Sequence, residues 1–245
     1  MKKKQDILKD PVSILMPVCN EADVIEGVID EWRREVIDYL PQGSVMIVED
    51  CSNDGTEKIL ATLASKYSFL KVHFAPRDGF FNTALRLYRY AETPLIFFTD
   101  SDGQYVAGDF WKVAAAMEGA DMVHGWKDGR KDPFYRVFAS GVYNKIIGVM
   151  FGSKAIDVNS AFRLIRKPLV DKFLGRINRL TMLPNSELYL RAEASGARIV
   201  NVAVAHRDRK YGKSRSLPAA RFASECWRAF KGLLQLRRDI ARERG

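Results

Sequence analysis

The chain has 245 residues, 47% of them apolar and 28% charged, with a formal net charge of +9. That is ordinary globular composition with enough length for a sizeable core. No apolar run approaches the roughly 18–20 residues of a membrane-spanning helix, and acids and Pro11 interrupt the basic start "MKKKQDILKDP" where a signal peptide would be greasy.

In chain order, residues 12–18 (VSILMPV) read as a buried strand, followed by a helical pattern from 21 to about 40. Residues 44–50 (SVMIVED) are a second strand, and 54–67 a helix with Asp54 placed to cap it. A short third strand at 69–75, a helix at 80–93 and a fourth strand at 94–100 follow. After residue 125 the pattern loosens: an apolar-rich helix at 132–152, strand or turn at 155–167, then a helix stopped by Gly196 and a last strand. Strands alternating with helices predict a mostly parallel α/β sheet, which binds ligands at the carboxyl ends of its strands. Those ends deliver Asn20 and Glu21, then Glu49 and Asp50, then Asp100 and Asp102.

Asp100-Ser101-Asp102-Gly103 has two readings, a polar turn or a cation site. A calcium loop is excluded, because the bidentate acid of its twelfth position would fall on Trp111. Two carboxylates after a buried strand suit Mg²⁺ or Mn²⁺ bridging phosphates, since both ions prefer oxygen ligands. Neither glycine-rich phosphate loop is present, so a nucleotide would have to be held by acids, a metal and scattered basic side chains.

Six segments in order, SILMPVCNEADVI, VMIVEDCSNDGT, PLIFFTDSDGQY, GWKDGRKDPFYRVFASGVYN, DVNSAFRLI and VAHRDRKYGKSRS, resemble family 2 glycosyltransferases of GT-A fold. The branch they are most similar to is that of dolichol-phosphate mannose synthases and other polyprenyl-phosphate glycosyltransferases, over roughly residues 12–216. The resemblance implies a mostly parallel central sheet flanked by helices, with a nucleoside pocket at Pro17, Asn20, Glu21, Glu49 and Asp50. It implies metal-binding Asp100 and Asp102, with Gln104 beside the sugar phosphate. Arg130, Arg136 and Ser140 match the part that holds the acceptor phosphate, Asp157 and Arg163 a later D-x-x-x-x-F-R element, and Arg209 and Lys213 the segment that closes over the diphosphate. Glu49 stands where the family usually has Asp, RDGFFNTAL lacks a second glycine, and Ala161 stands where Gly is frequent. The branch's frequent C-terminal transmembrane helices are missing from this sequence.

The activity so implied is inverting transfer of a sugar from a nucleotide-diphosphate donor to a polyprenyl phosphate, with Mg²⁺ or Mn²⁺ as cofactor. A phosphate acceptor is already anionic near neutral pH and needs no strong base. A hydroxyl acceptor, the alternative, needs one, and the candidate is Glu187, which also reads as a first-turn helix acid. A nucleotidyltransferase would show a glycine-rich basic loop after the first strand, where PVCNEAD stands. A nucleic-acid partner would leave acids at three strand ends unexplained. His73, His124 and His206 are scattered and read as structural, and Cys19 and Cys51 as small hydrophobes near the nucleoside pocket. The three cysteines, an odd count without metal-like spacing, predict a reduced cytoplasmic chain.

From Ala205 to Gly245 there are twelve Lys and Arg against four Asp and Glu, a net +8 that is nearly the whole excess. Residues 217–245 form a helix at 100° per residue, with Phe222, Cys226, Trp227, Phe230, Leu233 and Leu236 on one half. That half either packs on protein or lies in an anionic membrane surface, which would make the chain peripheral on the cytoplasmic face. The division expected is a catalytic domain at 1–216 and this helix beyond it.

Overall fold

The computed structural model describes residues 3–40, 42–50, 52–129, 134–208 and 219–244, without the side chains of 134–137 and 219–223. Seven strands form one sheet: β1 (Val12–Val18), β2 (Ser44–Asp50), β3 (Leu70–Ala75), β4 (Leu95–Phe98), β5 (Met122–Asp128), β6 (Arg163–Arg166) and β7 (Ile199–Ala205). Their order is β3-β2-β1-β4-β6-β5-β7. Six strands run one way, and β6 is antiparallel to both β4 and β5. Helices α1 (Ile25–Glu35), α2 (Thr56–Lys66) and α3 (Gly79–Tyr90) are the crossovers of the first half. The second half adds α4 (Phe110–Ala115), α5 (Phe134–Phe151), α6 (Lys167–Leu174), α7 (Pro184–Ala194) and α8 (Ala219–Arg244).

β1 is apolar at every position but Ser13 because helices cover both faces of the sheet, so no alternation is required. Pro17 lies beyond the last β4 partner, Leu15, where a missing N–H costs that pairing nothing. The core centres on Phe97 of β4, whose ring packs 5.4 Å from Trp32, 5.0 Å from Phe110 and 4.7 Å from Phe162. The first four strands lie where the pattern put them. Behind them, α4 and β5 lie in a stretch for which the pattern gave no element, and 155–167 resolves into a loop followed by the short β6. Reversed β6 carries Arg163, fully buried, which donates to the carbonyls of Ser160 (Nε, 3.1 Å), Asn185 (2.7 Å) and Val158 (3.2 Å). A charge in mid-sheet is tolerated because these carbonyls satisfy it.

α8 divides along its length. Its second half is docked: Leu233, Leu236 and Ile240 are buried, and a Cβ on Gly232 would stand 2.4 Å from the Arg179 carbonyl oxygen. Arg179–Asp239 (2.6 Å) and Arg191–Glu243 (3.0 Å) pin the same half to the body. No helix among the described residues is long and apolar enough to cross a membrane.

Candidate active site

The strand order reverses beside β1, whose two neighbours β2 and β4 leave a crevice at the carboxyl ends. A cleft of about 530 Å³ opens there, lined among others by Pro17, Glu21, Asp50, Asp100 and Asp102. Its walls are sewn together locally. The Ser101 hydroxyl donates to the Pro17 carbonyl at 2.9 Å, joining the end of β4 to the end of β1. Asn20, at φ 52°, donates its own N–H to Ser52 Oγ at 2.7 Å and exchanges two side-chain hydrogen bonds with Asn53. Glu21 N–H donates to Thr56 Oγ1 at 2.9 Å, while Asp54 accepts from the Thr56 N–H at the start of α2 and from Ala22.

Asp100 is half-buried on the cleft wall. Burial, and then the neighbouring Asp102 carboxylate, push its pKa up to about 6, with Lys127 and Arg163 pulling the other way. Asp102 Oδ1 accepts the Gln104 N–H at 3.1 Å, and Gly103 makes the turn between them at φ 72°. A buried carboxylate whose proton affinity is raised by a neighbouring carboxylate makes a site where a cation relieves the repulsion. Among the described residues no group of three or more His, Cys, Asp or Glu is set to hold a metal alone. The pair therefore fits an ion that completes its shell with phosphate oxygens and water, as Mg²⁺ and Mn²⁺ do at nucleotide sites.

Not every expected residue faces the cleft. Glu49 is buried and its carboxylate accepts the Ser52 N–H at 2.6 Å, so it shapes the β2–α2 loop without lining the cleft. Asn20 likewise serves the loop. Gln104 donates from Nε2 to the Arg207 carbonyl at 3.2 Å, which turns it toward β7. Asp157 and Arg163 are buried outside the cleft lining. Ser140 lies half-buried on α5, and Arg136 belongs to the same helix but its side chain is outside the described residues. Arg130, Arg209, Lys213 and Cys51 also fall outside them. Cys19 lines the cleft and donates to the Asp50 carbonyl at 3.1 Å.

Glu187 sits in the first turn of α7, fully buried. Its Oε2 accepts the N–H groups of Arg179 (2.7 Å) and Leu180 (2.8 Å), and its Oε1 accepts Asn178 N–H (3.2 Å) and Arg191 Nε (3.1 Å). All four acceptor positions of the carboxylate are used, so none remains for a proton from a substrate. The histidines are structural too. His73 packs on Tyr90 at 4.6 Å, His206 bridges Tyr105, and buried His124 bonds the Asp157 carbonyl through Nε2 at 2.7 Å.

Three cleft neighbours escaped the pattern. Arg77 and Phe80, flanking Gly79 (φ 88°) at the start of α3, line the wall beside Asp50. Lys127, near the end of β5, bears on Asp100 electrostatically and stands 5.6 Å from the Tyr105 ring centroid. The signal for the first two was the RDG run after the third strand, and for Lys127 the WKD run after residue 125. With Arg77 facing Glu21, Asp50, Asp100 and Asp102, the cleft is acidic, apt for a cation and for ligand N–H and hydroxyl donors.

Similar proteins share this architecture. Undecaprenyl-phosphate 4-deoxy-4-formamido-L-arabinose transferase of Proteus mirabilis is 25% identical over 207 residues, covering 83% of this chain and 62% of that protein. The Klebsiella pneumoniae protein of that name matches to the same extent. The chain thus spans under two thirds of the length of these curated relatives. Among solved structures, the Pyrobaculum calidifontis mannosyltransferase in complex with GDP-Man and Mn²⁺ superposes with a TM-score of 0.61 at 19% identity, over 95% of this chain and 70% of that one. Glucosyl-3-phosphoglycerate synthase from Mycobacterium tuberculosis, with Mn²⁺, UDP-Glc and glycerol 3-phosphate, gives 0.67 at 17% identity, over 93% and 80%. The fold is of the GT-A type. The profile described as Glycosyl transferase family 2 matches residues 13–174, a stretch that holds β1 to β4 with the whole cleft, and by that match the chain belongs to this glycosyltransferase family.

Proposed function

We propose that this glycosyltransferase moves a sugar, with inversion, from a nucleoside-diphosphate sugar to a polyprenyl phosphate, using Mg²⁺ or Mn²⁺. The observation that carries the donor half is the Asp100–Asp102 pair at the switch point, where burial and then the Asp102 carboxylate raise the pKa of Asp100 to about 6. Glu21, Asp50 and Arg77 surround the nucleoside end, Asp50 accepting from donors on base or ribose and Arg77 offering a guanidinium. When bound, the cation supplies Lewis-acid stabilisation of charge on the departing diphosphate. The acceptor phosphate oxygen attacks the anomeric carbon as the bond to the diphosphate oxygen breaks, in one displacement. Lys127, and in sequence Arg130, Arg136, Arg209 and Lys213, are the cations assigned to the two phosphates.

The acceptor half rests on chemistry and on surface. Glu187, the one base the sequence offered a hydroxyl acceptor, is fully occupied, whereas a phosphate needs no base. The relatives named above act on undecaprenyl phosphate by name. The first half of α8 shows Trp227, 57% exposed and stacked on Phe230, with Arg228 and Lys231 beside it. α5 adds Phe138 at 64% and Val149 at 80% exposure. An apolar face flanked by cations suits an anionic membrane surface, the cytoplasmic face in this reading.

The test is a panel of nucleotide sugars with Mn²⁺ or Mg²⁺, a short polyprenyl phosphate, and phosphoglyceric acid as a hydroxyl acceptor. Labelled sugar entering organic solvent is the expected result. Transfer to phosphoglyceric acid alone would overturn the acceptor assignment and leave the donor half standing.

A further inference from the structure

α1 lays a stripe of Val28, Glu31 and Glu35 along the segment that follows the two cleft acids. A Cβ on Gly103 would stand 3.3 Å from Val28 Cγ2, so the chain runs against the helix there. Further along, Ala107 N–H donates to Glu31 Oε1 at 3.1 Å, and Trp111 Nε1–H to the Glu35 carbonyl at 2.8 Å. The other flank of the segment is held by the end of β7. Arg207 N–H donates to the Gln104 carbonyl at 2.7 Å, Gln104 Nε2 donates back to the Arg207 carbonyl, and Ala205 N–H donates to Asp109 Oδ2 at 2.6 Å. Glu31 joins the flanks, because its Oε2 accepts from Arg207 Nη1 at 2.9 Å.

A half-exposed ion pair is worth little when it only decorates a surface. This one does more, since each oxygen serves a different element and the Ala107 backbone between them is buried. From Gln104 the contacts reach the acids directly, through its N–H on Asp102 Oδ1. We infer that Glu31 is a positioning residue for the Asp100–Asp102 cation site. It holds the 103–107 turn between α1 and Arg207, and so fixes the carboxylate that Gln104 orients. Outer residues that orient ligand-bearing loops commonly alter metal affinity without touching the ion.

The inference rests on the cation reading, and the experiment separates the two. Mn²⁺ binding to the full-length protein is titrated by the electron paramagnetic resonance of the free ion, with a nucleoside diphosphate present, for wild type, Asp102→Ala, Glu31→Ala, Glu31→Gln and Arg207→Met. Glu31→Ala should weaken Mn²⁺ binding about tenfold, with nucleoside diphosphate binding in the absence of metal unchanged. Glu31→Gln, which still accepts from Ala107 N–H but turns an amide donor toward Arg207, should recover only part of that loss. Arg207→Met should weaken Mn²⁺ in the same direction, and it carries the test should Glu31→Ala fail to fold. If Asp102→Ala binds Mn²⁺ as wild type does, the cation reading itself is wrong. If Asp102→Ala loses the ion while Glu31→Ala, or in its place Arg207→Met, keeps wild-type affinity, Glu31 has no positioning role.

Discussion

Where the carboxyl ends of β1, β2 and β4 meet, nearly every loop is tied by short hydrogen bonds: Ser101 to Pro17, Asn20 to Ser52 and Asn53, Glu49 to Ser52. The α5–α8 face is the reverse, with the large apolar side chains of Phe138, Val149 and Trp227 exposed. The first region holds like charges in fixed relation, which only a preorganised backbone can do. The second presents area and charge, which suit a fluid partner such as a bilayer and demand no fixed register. On the proposed reading, the two halves of one reaction place different physical demands on one chain.

That contrast breaks most visibly at Asp102. Asp102→Ala should lower turnover about a thousandfold, as loss of a preorganised charge-stabilising group does, with the melting temperature nearly unchanged because the side chain lies on a loop. EDTA should silence the wild type equally, and full activity in EDTA would remove the cation from the rigid side.

Glu187 sharpens the contrast from the interior. Glu187→Gln takes from buried Arg191 its fully buried partner and leaves it the part-exposed Glu243, and should cost about 3 kcal/mol of stability. Turnover per folded molecule should stay within about tenfold, since a phosphate acceptor needs no base. A collapse of kcat in protein whose denaturation curve is unchanged would favour a hydroxyl acceptor.

His124 lies in the interior, held neutral by burial and then by the Arg163 charge, its pKa pushed down to about 3. The unfolded chain binds a proton near pH 6.5 that the native state refuses, so stability present above that pH is lost on acidification. At pH 5 the loss is about 2 kcal/mol from this residue. Urea midpoints across pH 5–7 should slope more gently in His124→Gln than in wild type, and equal slopes would assign the acid sensitivity elsewhere.

The smallest effect belongs to the exposed face. Trp227→Ala should weaken sedimentation with anionic vesicles about tenfold, the worth of one exposed aromatic ring, and leave activity on a short soluble acceptor intact. Point variants are the right probe here. Cutting the chain at residue 217 would also strip Leu233, Leu236 and Ile240 from the core. Wild-type protein that ignores anionic vesicles at low salt would make this face a contact for protein.

The first half of the fold and its acids were legible in the sequence because they rest on local rules. A buried parallel strand writes itself as an unbroken apolar run, and acids at the ends of such runs must gather at one edge. Legibility fell where long-range contacts decide. β6 is a short strand wedged antiparallel between β4 and β5, and nothing in RLIR announces that order. Glu49 and Gln104 sit where the motif puts them, yet their side chains turn to Ser52 and Arg207, a choice made by whichever donor or acceptor folding brings within reach. Arg77 and Phe80 reach the cleft, and Lys127 bears on Asp100, only because α3 and β5 pack beside it. The apolar half of α8 was readable as a stripe. Which of its turns would be buried, Leu233 and Leu236 but not Trp227, depended on where the 179–180 segment lies and how closely Gly232 lets two backbones approach. Periodicity is a property of a segment, whereas the partner that covers it belongs to the whole chain.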